Sequence, residues 1–210
     1  MIGLSPPYKA ILADPPWRFG TWTPKGRNRC PDYRKRKHLP ERHYPTMTLD
    51  AIKAVPVGDL AADDCCLFLW TTDAFLPAAL SVGAAWGFVY KTVGFYWVKT
   101  HRPTTCSPRR PYPIGTGYWT RLNPEQCLLF TRGHPKRLSC GVEKLIVAPR
   151  REHSRKPDEV YGCIEALVAG PYCELFARHH RSGWDCWGNE TTKFGSSDKS
   201  ETLVTDVRPR

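Results

Sequence analysis

A short, mostly apolar run from Tyr8 to Ala13 is cut off by Asp14-Pro15-Pro16-Trp17. The run reads as a buried strand. Two successive prolines remove two backbone donors and fix two φ angles, so the chain has to leave the sheet there. Asp14 is thereby placed immediately beyond the end of a strand, in extended geometry imposed by the proline after it.

The rest of the chain repeats this grammar of strand, exit and helix. Thr48 to Val55 predicts a helix, capped by Thr48, with Leu49, Ile52 and Val55 recurring at intervals of three. Cys65 to Trp70 is almost continuously apolar and reads as a central strand. Asp73 opens a helix through Val82, with Pro77 near its start. Phe88 to Val98 carries one or two strands, Gln126 to Phe130 another, Leu145 to Ala148 another and Cys173 to Ala177 the last. The best helix begins at Pro157, with Asp158 and Glu159 suited to its positive end and Val160, Ile164, Leu167 and Val168 on one face. Strands alternating with helices predict an α/β sandwich with a mainly parallel sheet. Ligands of such sheets sit outside the carboxyl ends of the strands. That rule alone brings Asp14, after the first strand, to the same crevice as Arg178 and His179, after the last.

Two long segments fit neither element type. Residues 18–45 have no apolar periodicity and carry Lys25, Arg27, Arg29, Arg34, Lys35, Arg36, Lys37 and Arg42 against Asp32 and Glu41. Residues 101–121 are rich in proline and glycine and carry Arg102, Arg109 and Arg110. Loops this long in a small domain are functional or disordered. Thirty-one Lys and Arg against 20 Asp and Glu give a net charge of +11. Such an excess fits a polyanion partner, a membrane surface or plain solubility. No apolar run is long enough to span a membrane, and the first residues lack the pattern of a signal peptide. Nine cysteines without a CxxC spacing predict reduced thiols in a cytoplasm, not a disulfide framework. Cys30, His38 and His43 match no standard zinc spacing, so no metal is expected. The 210 residues suffice for one domain, assigned to 1–191, followed by a polar tail at 192–210.

The tetrad has a chemistry of its own. Neither proline supplies an N–H, so the corner offers a carboxylate, backbone carbonyls and a flat indole. A planar ring bearing an NH₂ group fits it: one hydrogen to Asp14, one to the Pro15 carbonyl, with Trp17 stacked on the ring. Two acceptors on a weakly nucleophilic aromatic amine stabilise the positive charge that develops on alkylation. The same four residues also read as a surface turn with a satisfied Asp and a packed Trp.

Other segments accompany the tetrad in order. They are Leu67-Phe68-Leu69-Trp70, Trp86-Gly87-Phe88, Trp97-Val98-Lys99, Gly115-Thr116-Gly117-Tyr118 with Glu125, and His153-Ser154 with Lys156-Pro157-Asp158-Glu159. Glu174-Leu175-Phe176-Ala177-Arg178, Gly183-Trp184-Asp185 and Trp187-Gly188-Asn189-Glu190 follow. With these, residues 8 to 190 resemble the MT-A70-type adenine-amine methyltransferases, a family with eukaryotic, bacterial and phage members. The resemblance implies a Rossmann-like fold with helices on both faces, and S-adenosylmethionine as cofactor. It implies a catalytic Asp14, Pro15, Pro16 and Trp17, with Asp14 also beside the cofactor. Lys156 would meet the cofactor carboxylate, and Arg178, His179, His180, Asn189 and Glu190 would line the rest of the cofactor. Glu174 would touch ligand or hold a network at the strand end. Tyr118 and Trp119 would cover the substrate, and Lys99 would lie near phosphate. Lys25, Arg27, Arg34, Lys35, Arg36 and Lys37 would contact the polynucleotide backbone without reading its sequence.

The leading expectation is therefore methylation of the N6 amine of adenine in DNA, in the cytoplasm (of the host, for a phage protein), by a monomer or homodimer without membrane contact. The same reaction on RNA is the nearest alternative. A catalytically silent nucleic-acid-binding regulator would keep the basic surface and have no use for Asp14. A small-molecule amine methyltransferase would leave the basic loop without employment.

Overall fold

A computed structural model describes residues 4–18, 45–102, 112–115, 119–152, 154–189 and 191. A single seven-stranded sheet runs through them in the order β5-β3-β4-β2-β1-β6-β7. The strands are β1 (Tyr8–Ala13), β2 (Ala61–Thr71), β3 (Val89–Thr100), β4 (Glu125–Arg132), β5 (Leu145–Pro149), β6 (Tyr172–Leu175) and β7 (Trp184–Trp187). The helices are α1 (Leu49–Lys53), α2 (Leu76–Ala85) and α3 (Glu159–Leu167). β1 runs parallel to both of its neighbours, and β6 is parallel to β7 and β3 to β5. β4 is antiparallel to β2 and to β3, so it alone is reversed.

The sheet is central because its strands are apolar on both sides. Ala10, Ile11, Leu12 and Ala13 are all buried, as are Cys65 to Thr71. Period two divides them between two cores. Ile11, Ala13, Leu67 and Leu69 pack with Ile52 of α1 and Ala79 and Val82 of α2. Ala10, Leu12, Phe68 and Trp70 pack with Val160, Tyr161 and Ile164 of α3 on the other face. The expected Rossmann-like α/β sandwich, with helices on both faces of a mainly parallel sheet, is the fold observed.

The elements match the sequence reading with informative shifts. Thr48 caps α1, its Oγ1 accepting from the Ala51 N–H at 3.2 Å. Residues 73–75 form a 3₁₀ turn before α2, because Pro77 is compatible only with the first turn of the α-helix. Phe88 to Val98 is one strand. α3 starts at Glu159, two residues after Pro157, because Asp158 gives its carboxylate to Arg151 at 2.6 Å instead of capping the helix. β6 ends at Leu175, before the expected Ala177, where Phe176 turns to φ 62°. β7 has no counterpart in the sequence reading. It is four residues long and largely half-buried, too short for a clear alternation.

The chain order places β2 on one side of β1 and β6 on the other. This is a reversal of strand order of the kind that opens a crevice at the carboxyl edge. Asp14 leaves β1 at that point.

Candidate active site

Parallel strands deliver to the carboxyl edge whatever follows their last residue. That brings Asp14 after β1, Thr72 after β2, His101 after β3 and Arg178 after β6. A reversed strand delivers its first residue to the same edge, and the first residue of β4 is Glu125. Lys99 lies on β3 two residues beyond Trp97, the register partner of Glu125.

These residues meet in a chain of alternating charge. The Lys156 ammonium is 2.8 Å from Asp14 Oδ2 and 3.4 Å from Glu125 Oε2. The Lys99 ammonium is 2.5 Å from Glu125 Oε1. Each of the four side chains is about a fifth exposed or less, the most open being Asp14 at 21%. Lys156 also lies 5.8 Å from the centre of the Trp70 ring, and Lys99 5.1 Å from that of Trp97.

The two carboxylates feel opposite surroundings. Burial pushes the Asp14 pKa up. Lys156 opposes this, Glu125 adds to it as a like charge, and Arg178 pulls the other way. Glu125 is also penalised by burial, but it has both Lys156 and Lys99 beside it, and its pKa is held below the ordinary carboxyl value. The Glu125 pKa is thus lowered and the Asp14 pKa raised, although the two share one ammonium.

The loop carrying Lys156 is built around Arg151. Its guanidinium binds both oxygens of Asp158 at 2.6 Å and donates to the Lys156 carbonyl at 2.9 Å. Ser154, two residues before Lys156, has φ 60°, and Phe176, two before Arg178, has φ 62°. These are the only non-glycine residues at positive φ among those described. Backbone strain of this kind persists where the surroundings impose it, characteristically at binding sites. Gly188 completes this corner. A Cβ there would lie 2.4 Å from the Ala177 carbonyl oxygen, so only glycine lets the strand-end segments after β6 and β7 approach.

Beside Asp14, Glu174 of β6 accepts from the Tyr161 hydroxyl at 2.9 Å. Burial pushes its pKa up to about 8, with Asp14 and Asp158 adding to the effect and the Tyr161 hydrogen bond and Arg181 opposing it. The same hydroxyl is 3.4 Å from Nε2 of His179, whose pKa burial pushes down. The inward side of the crevice therefore holds Glu174 and His179 mostly neutral. Glu174 joins a strand-end network, one of the two roles expected of it.

Three buried polar groups at this edge, Trp70 Nε1, Thr72 Oγ1 and His101 Nε2, have no hydrogen-bond partner among the described residues. A buried group left unsatisfied costs free energy, and a polar ligand would relieve that cost. S-Adenosylmethionine is such a ligand. Its carboxylate suits Lys156, its positive sulfonium and ammonium suit Asp14, and its ribose suits unsatisfied donors and acceptors.

The remaining expected residues divide. Arg178 is half-buried and close enough to Asp14 to influence its charge. His179 points inward onto Tyr161, ring to ring at 5.8 Å, whereas His180 and Asn189 are exposed. Trp17 does not offer the open stacking face expected of it. It is 7% exposed, lies parallel to Phe75 at 5.7 Å, and donates from Nε1 to the Trp70 carbonyl at 3.2 Å. The apolar contacts of an indole at a core position outweigh its use as a platform. The Pro15 carbonyl already accepts from the Trp17 N–H at 2.8 Å, and that of Pro16 from Met47 at 2.9 Å, so each retains one lone pair. Lys99 is committed to Glu125, not open to a phosphate. Trp119 is 96% exposed. Lys25, Arg27, Arg34, Lys35, Arg36, Lys37, Tyr118 and Glu190 lie outside the described residues, as do the tail and most of both long loops.

A family model described as MT-A70 matches residues 8–190. The chain belongs to the MT-A70 family. It is 34% identical over 195 residues to the type II methyltransferase M.MunI of a Mycoplasma species, covering 87% of this chain and 77% of that one. It is 32% identical over 208 residues to an MT-A70-like N(6)-adenosine-methyltransferase of Drosophila melanogaster, and 31% over 188 residues to the METTL3 catalytic subunit of Homo sapiens. These matches span 30% and 28% of the two longer proteins. MT-A70 membership brings with it S-adenosylmethionine as methyl donor, the N6 amine of adenine as acceptor and nucleic acid as the binding partner. No described helix is long and apolar enough to cross a membrane.

Glu125 is the member of the charge chain that residue-level reading missed. It accompanies the Gly115-Thr116-Gly117-Tyr118 segment, but its arrival at the carboxyl edge depends on β4 being reversed. Apolar periodicity carries no information on strand direction.

Proposed function

We propose that this chain methylates the N6 amine of an adenine held in a polynucleotide, and that Asp14 is the residue that receives the amine. The supporting observation is the Asp14 carboxylate, fixed by Lys156 at 2.8 Å, beside a Pro15 carbonyl with one lone pair left. Oδ1 of Asp14 and that carbonyl make two acceptors at the switch point of the sheet, matching the two hydrogens of one amine.

S-Adenosylmethionine, when bound, supplies a methyl group on a sulfonium whose departure leaves a neutral thioether, so no acid is needed for the leaving group. Lys156, Arg178 and the groups around Asn189 and Glu190 would hold it. Asp14 orients the amine and stabilises the positive charge gathering on nitrogen. Its raised pKa also suits it to take the proton the alkylated nitrogen sheds. Trp119, wholly exposed, is available to cover the base. Residues 18–45 would supply the phosphate contacts.

The similarity to a type II methyltransferase, at 34% identity, supports DNA as the polynucleotide. The Drosophila, human and plant relatives favour RNA, since they are named for adenosine, a ribonucleoside. More of the relatives carry adenosine in their names, so RNA is the better supported arm of the test and DNA is tested beside it. A base in a duplex must be turned out of its stack to reach the crevice, which favours single strands of either kind.

Labelled S-adenosylmethionine is to be given with double-stranded DNA, single-stranded DNA and RNA, followed by nucleoside mass analysis. The expected product is N6-methylated adenosine or its deoxy counterpart, lost in Asp14→Ala while cofactor binding is largely kept. Methylation confined to cytosine would reject the reading. Neutralising Arg34, Lys35, Arg36 and Lys37 together should flatten the dependence of binding on salt. An unchanged slope would remove that loop from the interface.

A further inference from the structure

Lys156 stands between two carboxylates and sits unequally between them. It is 2.8 Å from Asp14 and 3.4 Å from Glu125. Glu125 in turn shares its other oxygen with Lys99 at 2.5 Å. The ammonium that neutralises the Asp14 carboxylate therefore has a second seat within a small displacement. How strongly that seat attracts it depends on what Lys99 leaves of the Glu125 charge. We propose that Glu125 is a positioning residue that draws Lys156 off Asp14, and so sets how much negative charge Asp14 presents to the adenine amine. This rests on the assignment of Asp14 as the amine-binding group.

The geometry gives the arrangement its direction. β1 and β4 are separated in the sheet by β2, so Asp14 and Glu125 approach the crevice from opposite sides. Lys156 enters from the loop before α3, above Trp70 of the intervening β2. Trp70 offers a ring and no carboxylate, and among the described residues Asp14 and Glu125 flank the ammonium, one on each side. A Lys156 fully on Asp14 would hold a carboxylate oxygen and cancel the charge that the amine is to use. A Lys156 fully on Glu125 would leave Asp14 with only the more remote charge of Arg178, beside a Glu174 whose pKa burial raises. The observed sharing lies between these limits.

The charged and titratable groups that face Asp14 come from four places. Lys156 belongs to the α3 loop, Glu125 and Cys127 to β4, Glu174 to β6, and Arg178 to the segment after it. Lys99 of β3 acts through Glu125. Two of these can be altered so that Asp14 responds in opposite senses. Glu125→Gln removes the second seat and a like charge together. Lys156 then settles on Asp14, and the Asp14 pKa falls. Lys99→Met leaves Glu125 with one ammonium, so Lys156 moves toward it and the Asp14 pKa rises.

The test is a carbon-13 carboxyl NMR titration of Asp14 in the full chain, wild type and both variants, without cofactor. Alongside it, the pH profile of kcat on a single-stranded adenine-containing oligonucleotide is to be measured. The titration midpoint is expected to drop by about half a unit or more in Glu125→Gln and to rise by a similar amount in Lys99→Met. The acid limb of kcat should follow in the same senses, with kcat at neutral pH down about tenfold in Glu125→Gln. Loss of fold would lower the active fraction in both variants and could not move the midpoint in two directions. Unchanged midpoints, or shifts of the same sign, overturn the positioning role. Separately, Asp14→Asn with full activity would overturn the assignment of Asp14 itself, whatever the two midpoints do.

Discussion

The two edges of the sheet are made of the same strands and are built to opposite standards. At the amino edge the polar groups of the described residues mostly have partners, Arg181 Nε, beside Glu165 and Trp184, being an exception. Tyr8 accepts from the Ser5 N–H at 2.6 Å and donates to Asp185 at 2.5 Å, Trp86 donates to the Ile52 carbonyl at 3.1 Å, and Arg132 to that of Gly58 at 2.7 Å. At the carboxyl edge three buried polar groups lack partners, two non-glycine residues hold positive φ, and two carboxylates compete for one ammonium. The first edge is organised for stability. The second carries costs that only a bound cofactor and substrate would offset, as is common where stability and function compete.

The sharpest way to break this contrast is at Asp14. Asp14→Asn is expected to lower kcat by about 100-fold or more. The thermal midpoint should hold or rise, because burial already disfavours the charged carboxylate and Lys156 retains Glu125. Calorimetry beside initial rates checks both. A variant that lost stability in proportion to its activity would make the carboxyl edge structural after all.

The reverse case is Gly133, in the turn that follows β4 at the amino edge. It has φ 59°, and a Cβ there would lie 2.3 Å from the Asp63 carbonyl oxygen. Gly133→Ala is expected to cost about 2–3 kcal/mol in urea unfolding, from the left-handed backbone and the clash together. The rate per folded molecule should be unchanged.

The contrast also explains what could be read in advance. Strand and helix positions follow from apolar runs and proline placement, because both cores are ordinary ones and burial dominates them. Asp14 was legible because Pro15 and Pro16 fix its place at a strand end. Lys156 and Arg178 became legible through the motifs around them. Glu125 was not, since strand direction has no signature in one sequence. Trp17 carries two readings in the sequence because an indole beside a carboxylate suits a stacking platform and a core position equally well. Only the contact with Phe75 decides between them. The short β7 was missed because four half-buried residues leave too little pattern.

A smaller effect separates the two edges by pH. Glu174 has a pKa raised from 4.5 to about 8 by burial, so the folded chain binds a proton that the unfolded chain has already lost. The stabilisation that neutral Glu174 provides is full below the ordinary carboxyl pKa. It is lost progressively as pH rises from 4.5 toward about 8. Glu174→Gln keeps a neutral group that can still accept from Tyr161. Its unfolding free energy should therefore fall less over that range than that of the unaltered chain. Equal slopes would show Glu174 ionised in the fold, with Arg181 offsetting more of the burial cost than expected.

The smallest expected effect lies where the two standards meet. Thr48 follows Met47, whose backbone bridges the chain leaving the tetrad, and its side chain caps α1. The cap is solvent-exposed and the helix is five residues long. Thr48→Ala should cost about 0.5–1 kcal/mol, read from urea midpoints, with no change in kcat. Because Thr48 lies so close to Pro16 in space, the outcome marks how far the functional edge extends. A fall in kcat of several-fold with stability intact would mean that α1 helps hold the tetrad in its working geometry. The boundary between the two kinds of edge would then run through the first helix, not through the last residue of β1.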